Sequence, residues 1–98
     1  MTDARGLFGH SGPLFLVESY WPGVSAERVA AADAVTVRAL EASGNDHARY
    51  LGSMLVPGDE LVLRVFAGGT PAVINEANAK AGVPVERVVQ IVALNSPT

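Results

Sequence analysis

The loop at residues 57–59, Pro-Gly-Asp, constrains the fold of this chain more than any other feature of the sequence. It joins two apolar segments, residues 47–56 and 61–66, whose composition is typical of β-strands. So short a connection cannot cross over a sheet, so the two strands must pair in opposite directions. The sequence therefore predicts an antiparallel hairpin in the middle of the chain.

A strand and a helix are predicted before this hairpin. Residues 14–20 (LFLVESY) are apolar and aromatic, and the Pro-Gly pair at 22–23 ends them with turn chemistry. Ser25 can then accept hydrogen bonds from the free backbone N–H groups of a new helix. Apolar residues keep helical spacing until residues 43–45 (Ser-Gly-Asn), where we expect the helix to end.

A second helix and a last strand are predicted after the hairpin. Thr70 followed by Pro71 is a helix-start signal, because the hydroxyl caps the helix and proline suits its first position. Gly82 and Pro84 mark the end of this helix. Residues 88–94 (VVQIVAL) supply the last predicted strand.

The resulting order is strand, helix, strand, strand, helix, strand. In a chain of 98 residues it predicts one α+β domain of ferredoxin-like βαββαβ topology. Right-handed crossovers would place both helices on one face of a four-stranded antiparallel sheet. We expect the domain to span residues 14–94, with residues 1–13 as a flexible leader and 95–98 as a tail.

The sheet face without helices is predicted to be apolar as well. Hydrophobic residues make up 49% of the chain and charged residues 17%, and in the last strand both alternating sets are mainly apolar. In the third strand, the set expected to face the helices is Leu61, Leu63 and Val65. The set expected to face away from them is Glu60, Val62, Arg64 and Phe66. Two apolar faces predict a homodimer, either a dimeric α+β barrel or a strand-exchanged relative.

Charge and composition exclude several classes of function. The net charge is −3 and the seven basic residues do not cluster, so nucleic acid is not an expected partner. The chain has no cysteine, which excludes disulfides and thiolate catalysis. No apolar run approaches the roughly 20 residues of a bilayer span. The first residues also lack the build of a signal peptide, so we expect a cytoplasmic protein without membrane partners.

Glu18 interrupts an apolar strand that should lie centrally in the sheet, where a lone carboxylate is costly unless it is paired. We expect Arg64 on a neighbouring strand to be its partner in a buried ion pair. A carboxylate that binds a metal or a ligand is the alternative interpretation. Tyr20, Tyr50 and Gln90 are then expected to serve as pocket walls and hydrogen-bonding groups.

Several short stretches also resemble a known family: LVE, RYL, VPGDE, EAN, and AGVP with Arg87. Over residues 14–94 the chain resembles a family of small actinobacterial proteins long catalogued as a domain of unknown function, one streptomycete branch of which is described as nickel-binding. The resemblance implies a ferredoxin-like fold and a dimer. It matches Glu18 to the family's first-strand acid and residues 59–60 to its hairpin acids. Tyr20 stands near a position where the nickel-binding relatives often have histidine.

Two functional hypotheses remain open at the level of sequence. The resemblance favours a metal-binding homodimer, in which Glu18 and His47, aided by Glu60, would hold a divalent ion such as nickel. The residue patterns favour a dimeric-barrel protein that binds a small molecule, or a minor enzyme, with an apolar pocket between sheet and helices. That pocket would be lined by Tyr20, Tyr50, Arg64 and Gln90. No serine lies in a nucleophile-elbow pattern, so no catalytic residue is predicted, and a purely structural module is the third hypothesis.

Overall fold

The computed structural model describes residues 12–44 and 48–94. Its elements are β1 (Leu14–Tyr20), α1 (Ala26–Ala42), β2 (Arg49–Val56), a 3-10 turn (Pro57–Asp59), β3 (Leu61–Ala67), α2 (Pro71–Lys80) and β4 (Arg87–Ile91). The strands form one antiparallel sheet in the order β2-β3-β1-β4. This is the predicted ferredoxin-like α+β fold. The predicted tail, nearly all of the leader and His47 lie outside the described residues.

Both helices begin where their capping residues predicted. The Ser25 hydroxyl accepts a hydrogen bond from the Arg28 N–H at 3.2 Å, and the Thr70 hydroxyl accepts one from the Val73 N–H at 3.3 Å. Each bond satisfies a backbone donor that the first helical turn leaves free. These local signals are sufficient to set where α1 and α2 start.

The helices pack on one side of the sheet through two apolar clusters. One joins Phe15 and Phe66 of the sheet to Ile74 of α2, and the other joins Val62 to Val29 of α1. We call this side the covered face; on the two central strands it consists of Phe15, Val17, Ser19, Val62, Arg64 and Phe66. The opposite side, the open face, includes Leu16, Glu18, Tyr20, Leu61, Leu63 and Val65 on the same strands. Neither described helix packs on the open face.

The expected facing of β3 was therefore wrong. Val62, Arg64 and Phe66 point toward the helices and are each 0% exposed, whereas Leu61 and Leu63 lie on the open face. Alternation of side chains shows which residues share a face, but it does not show which face the helices cover. Because both sets are largely apolar, the pattern could not decide the question.

β4 ends three residues earlier than predicted, at Ile91 instead of Leu94. The last pair between β1 and β4 joins Leu14 to Ile91, so Pro13 would stand opposite Val92. The Pro13 carbonyl points toward β3, where it accepts a hydrogen bond from the Gly68 N–H at 2.7 Å. The described ladder ends at this pair, and residues 92–94 continue beyond it. No helix in the described part of the chain is long and apolar enough to cross a membrane.

Candidate functional site

Arg64 lies between the two apolar clusters of the covered face and is 0% exposed. Its Nη1 donates to the Asn78 side-chain oxygen on α2. Its Nη2 donates to the Thr36 hydroxyl at 2.7 Å and to Asp33 Oδ1 at 3.3 Å, both on α1. One guanidinium thus ties the sheet to both helices, and the Asp33 carboxylate balances its charge.

Asp33 also receives hydrogen bonds from two side chains of β2. The Tyr50 hydroxyl donates to Oδ1 at 2.6 Å, and the Ser53 hydroxyl donates to Oδ2 at 3.3 Å. The carboxylate therefore accepts from three residues although its side chain is still 30% exposed. We call the whole group the Arg64 cluster; it consists of Asp33, Thr36, Tyr50, Ser53, Arg64 and Asn78.

A β-bulge in β2 makes this convergence possible. In a regular strand, residues three apart point to opposite faces, so Tyr50 and Ser53 would not reach the same carboxylate. The pairing with β3 shifts between Tyr50 and Gly52, which adds one residue to β2. After the shift, Ser53 pairs with Arg64 and Tyr50 with Phe66, so both side chains lie on the covered face.

Aromatic contacts enclose the Arg64 guanidinium further. Its central carbon lies 4.8 Å from the centre of the Tyr50 ring and 5.8 Å from that of Phe66, within the range of cation–π attraction. Burial raises the pKa of the Tyr50 phenol above 10.0, as does its hydrogen bond to Asp33, while Ser53 and Arg64 oppose this rise. Tyr50 therefore stays protonated at neutral pH and acts as a hydrogen-bond donor.

The predicted ion pair between Glu18 and Arg64 was wrong. Arg64 is the cross-strand partner of Val17, so Glu18 points to the opposite face of the sheet. There Glu18 Oε2 accepts a hydrogen bond from Arg87 Nε at 2.6 Å, and the two side chains are 17% and 63% exposed. The strand that carries this partner is β4, whereas Arg64 finds its carboxylate on α1.

The residues predicted to bind a metal meet different partners. Glu18 contacts Arg87, as described above. Glu60 Oε2 accepts a hydrogen bond from the Gly23 N–H at 2.7 Å, and the Glu60 carbonyl accepts from Trp21, so this residue fastens the hairpin to the end of β1. Within residues 12–44 and 48–94, no group of three or more His, Cys, Asp and Glu side chains is placed to hold a metal ion.

The residues predicted to line a pocket are only partly brought together. Tyr50 and Arg64 meet in the Arg64 cluster, but Tyr20 is 51% exposed on the open face. Gln90 is exposed on the edge strand β4, opposite Phe15. The sequence reasoning missed Asp33 and Asn78 as partners of Arg64. The signal that could have found Asn78 is a polar residue in the apolar stripe of its helix, next to Ala77 and four residues after Ile74.

Comparison with known proteins supports the fold alone. No family model matches the chain, and no curated protein matches it. Among solved structures, it is similar to SCO4226 from Streptomyces coelicolor A3(2), with a TM-score of 0.67 and 12% sequence identity over 85% of this chain and 99% of that one. At this identity the likeness extends to the arrangement of strands and helices and no further.

Proposed function

We propose that this chain works as a homodimeric binding protein, in which two copies pack their open faces together as in a dimeric α+β barrel. The observation that carries this proposal is an apolar open face on which neither described helix packs. Tyr20, Met54 and Val56 on this face are 51%, 53% and 37% exposed. The half-buried residues around them are Leu16, Leu61, Leu63, Val89 and Ile91.

A face of this composition favours a second protein surface over water. Sheets with one solvated face normally carry polar residues there, and monomers rarely expose a large apolar patch. Burying one large apolar side chain contributes about 1.5–3 kcal/mol. Several such side chains are needed to offset an association cost of about 4–15 kcal/mol, and the open face supplies them.

We place the ligand of this dimer between the two sheets. The space between sheet and helices is occupied by the two apolar clusters and the Arg64 cluster. Between the sheets, the lining would be apolar, with Glu18 and Arg87 as polar groups. A small apolar molecule with one polar group fits such a lining, and native mass spectrometry of the purified dimer would detect it as a mass that denaturation releases.

The dimer is tested by light scattering on the full chain at micromolar concentration. We expect twice the chain mass of 10.2 kDa. Met54→Glu places a charge on the open face and should give a monomer, because the charge would be buried between the sheets. Val37→Glu is the matched control, since Val37 is 42% exposed on α1, away from the open face. A wild-type mass of one chain would overturn the proposal.

Metal binding by the dimer is the second candidate function, as the family resemblance implies. The observation in its favour is that Glu18 lies on the open face, so packing two open faces together would bring two Glu18 carboxylates, each paired with Arg87 of its own copy, into one interface. Glu18 would be the ligand, together with the predicted His47 and Glu60. Nickel is the ion that the resemblance suggests.

Calorimetric titration of the chelator-stripped chain with nickel, zinc and cobalt tests this candidate. We expect saturable nickel binding that Glu18→Gln abolishes. Glu76→Gln is the control, because Glu76 is an exposed carboxylate on α2 that pairs only with Lys80 among the described residues. Absence of heat with all three ions would reject metal binding and leave the dimer proposal intact.

A further inference from the structure

The segment that follows β4 exposes its apolar side chains strongly. Among the large hydrophobic residues that the structure describes, Val92 and Leu94 are the most exposed, at 77% and 76%. One such side chain on a surface is ordinary, but two in three residues directly after a strand are not expected of a solvated segment.

The backbone of this segment has no place in its own sheet. The last described pair between β1 and β4 joins Leu14 to Ile91, so residues 92–94 continue beyond the ladder. None of the turn and loop hydrogen bonds between described backbone groups involves residues 92–94. A segment that continues from an edge strand outside the ladder is a template for contact with another chain.

We propose that residues 92–94 form an arm that packs Val92 and Leu94 against the sheet of a second copy of this chain. This inference rests on the dimer proposed above. The arm continues directly from Ile91, whose side chain lies on the open face as the cross-strand partner of Leu14. A dimer formed through that face would therefore bring the arm of each copy to the margin of the other copy's sheet.

The size of the open face leaves room for the arm to add to the interface. Four strands about 4.8 Å apart and about 20 Å long have a projected area of only roughly 400 Å². A stable interface buries about 800 Å² of accessible surface on each partner, so a small face gains from added contacts at its margin. The exposed side chains of the arm would supply such contacts, and this favours a second copy over a small ligand as the surface that covers them.

Cross-linking between two labelled chains tests the contact directly. Because the chain has no cysteine, Leu94→Cys gives a single attachment point for a benzophenone. This chain is mixed with unmodified ¹⁵N-labelled chain, irradiated and analysed by mass spectrometry. We expect cross-links that join labelled to unlabelled chains at sheet residues, and none from a Val37→Cys control. Cross-links confined to one chain would overturn the arm.

A second experiment separates failure of the arm from failure of the dimer. The double variant Val92→Ser/Leu94→Ser keeps both side chains small and neutral, so it should fold normally by circular dichroism. We expect its dimer dissociation constant to rise by about tenfold or more, with no change in Val37→Ser. An unchanged constant in a dimeric protein would reject the arm alone, whereas a monomeric wild type would reject the dimer and the arm together.

Discussion

The two faces of the sheet reverse the usual distribution of polarity. The covered face, which is buried under two helices, carries a fully buried arginine that has polar partners on both helices and the Tyr50 ring of β2 against it. Among the described residues, the open face carries mainly apolar side chains and the ion pair of Glu18 with Arg87, of which the arginine is 63% exposed. The difference teaches that burial within one copy does not predict where the polar groups lie. The covered face sets the internal packing, and the open face is the one through which we propose that two copies associate.

Truncation of Arg64, the buried charge of the covered face, is expected to have the largest effect on the free energy of unfolding. Arg64→Ala leaves Asp33, Thr36 and Asn78 without their shared donor, so we expect the free energy of unfolding to fall by about 3–5 kcal/mol in urea titrations. Lys80→Ala, which breaks the exposed pair between Lys80 and Glu76, should cost less than about 1 kcal/mol. Similar losses in both variants would show that the Arg64 cluster contributes no more than a surface pair.

Tyr50→Phe tests the hydrogen bond to Asp33 that the bulge in β2 makes possible. It removes the donor to Asp33 and keeps the ring against Arg64, so we expect a loss of about 1.5 kcal/mol at neutral pH.

The same variant has a distinct pH dependence. The pKa of Tyr50 is raised in the folded state, so its contribution is complete below pH 10.0 and declines as pH rises toward the folded-state value. The stability difference between wild type and Tyr50→Phe should therefore narrow above that pH. A constant difference across the alkaline range would contradict the raised pKa.

Ser19→Ala, also on the covered face, is expected to raise the stability of the protein, whereas the preceding variants lower it. The Ser19 hydroxyl is 0% exposed and has no hydrogen-bond partner among the described residues. Removing it should raise the unfolding free energy by about 1 kcal/mol, because a buried group without a partner is costly. Thr36→Val is the comparison. Its hydroxyl accepts a hydrogen bond from Arg64, so we expect this variant to lower the unfolding free energy. A loss of stability in Ser19→Ala would show that its hydroxyl has a partner.

Glu18→Gln is expected to have the smallest effect on unfolding. Its pair with Arg87 lies at the surface of one copy, so the loss should stay below about 1 kcal/mol, as measured by urea titration of monomer kept at low concentration. A loss as large as that of Arg64→Ala would erase the contrast between the two faces.

Much of the fold was predictable from local signals, whereas little of the candidate site was. The caps at Ser25 and Thr70 and the short loop at 57–59 act within a few residues, so the elements and the hairpin followed from the sequence. The pairing of Arg64 did not follow, because its partners lie up to 31 residues away on two helices. Tyr50 and Arg64 were predicted to share a site, but Asp33, which joins them, was missed.

The sequence by itself determined the order of strands and helices, their start signals and the presence of two apolar sheet faces. Only the tertiary structure decided which face the helices cover, that a bulge turns Tyr50 and Ser53 toward one carboxylate, and that β4 ends at Ile91. The physical reason is the range of the interactions. Caps and turns depend on neighbouring residues, whereas facing, register and charge pairing depend on which distant segments pack together.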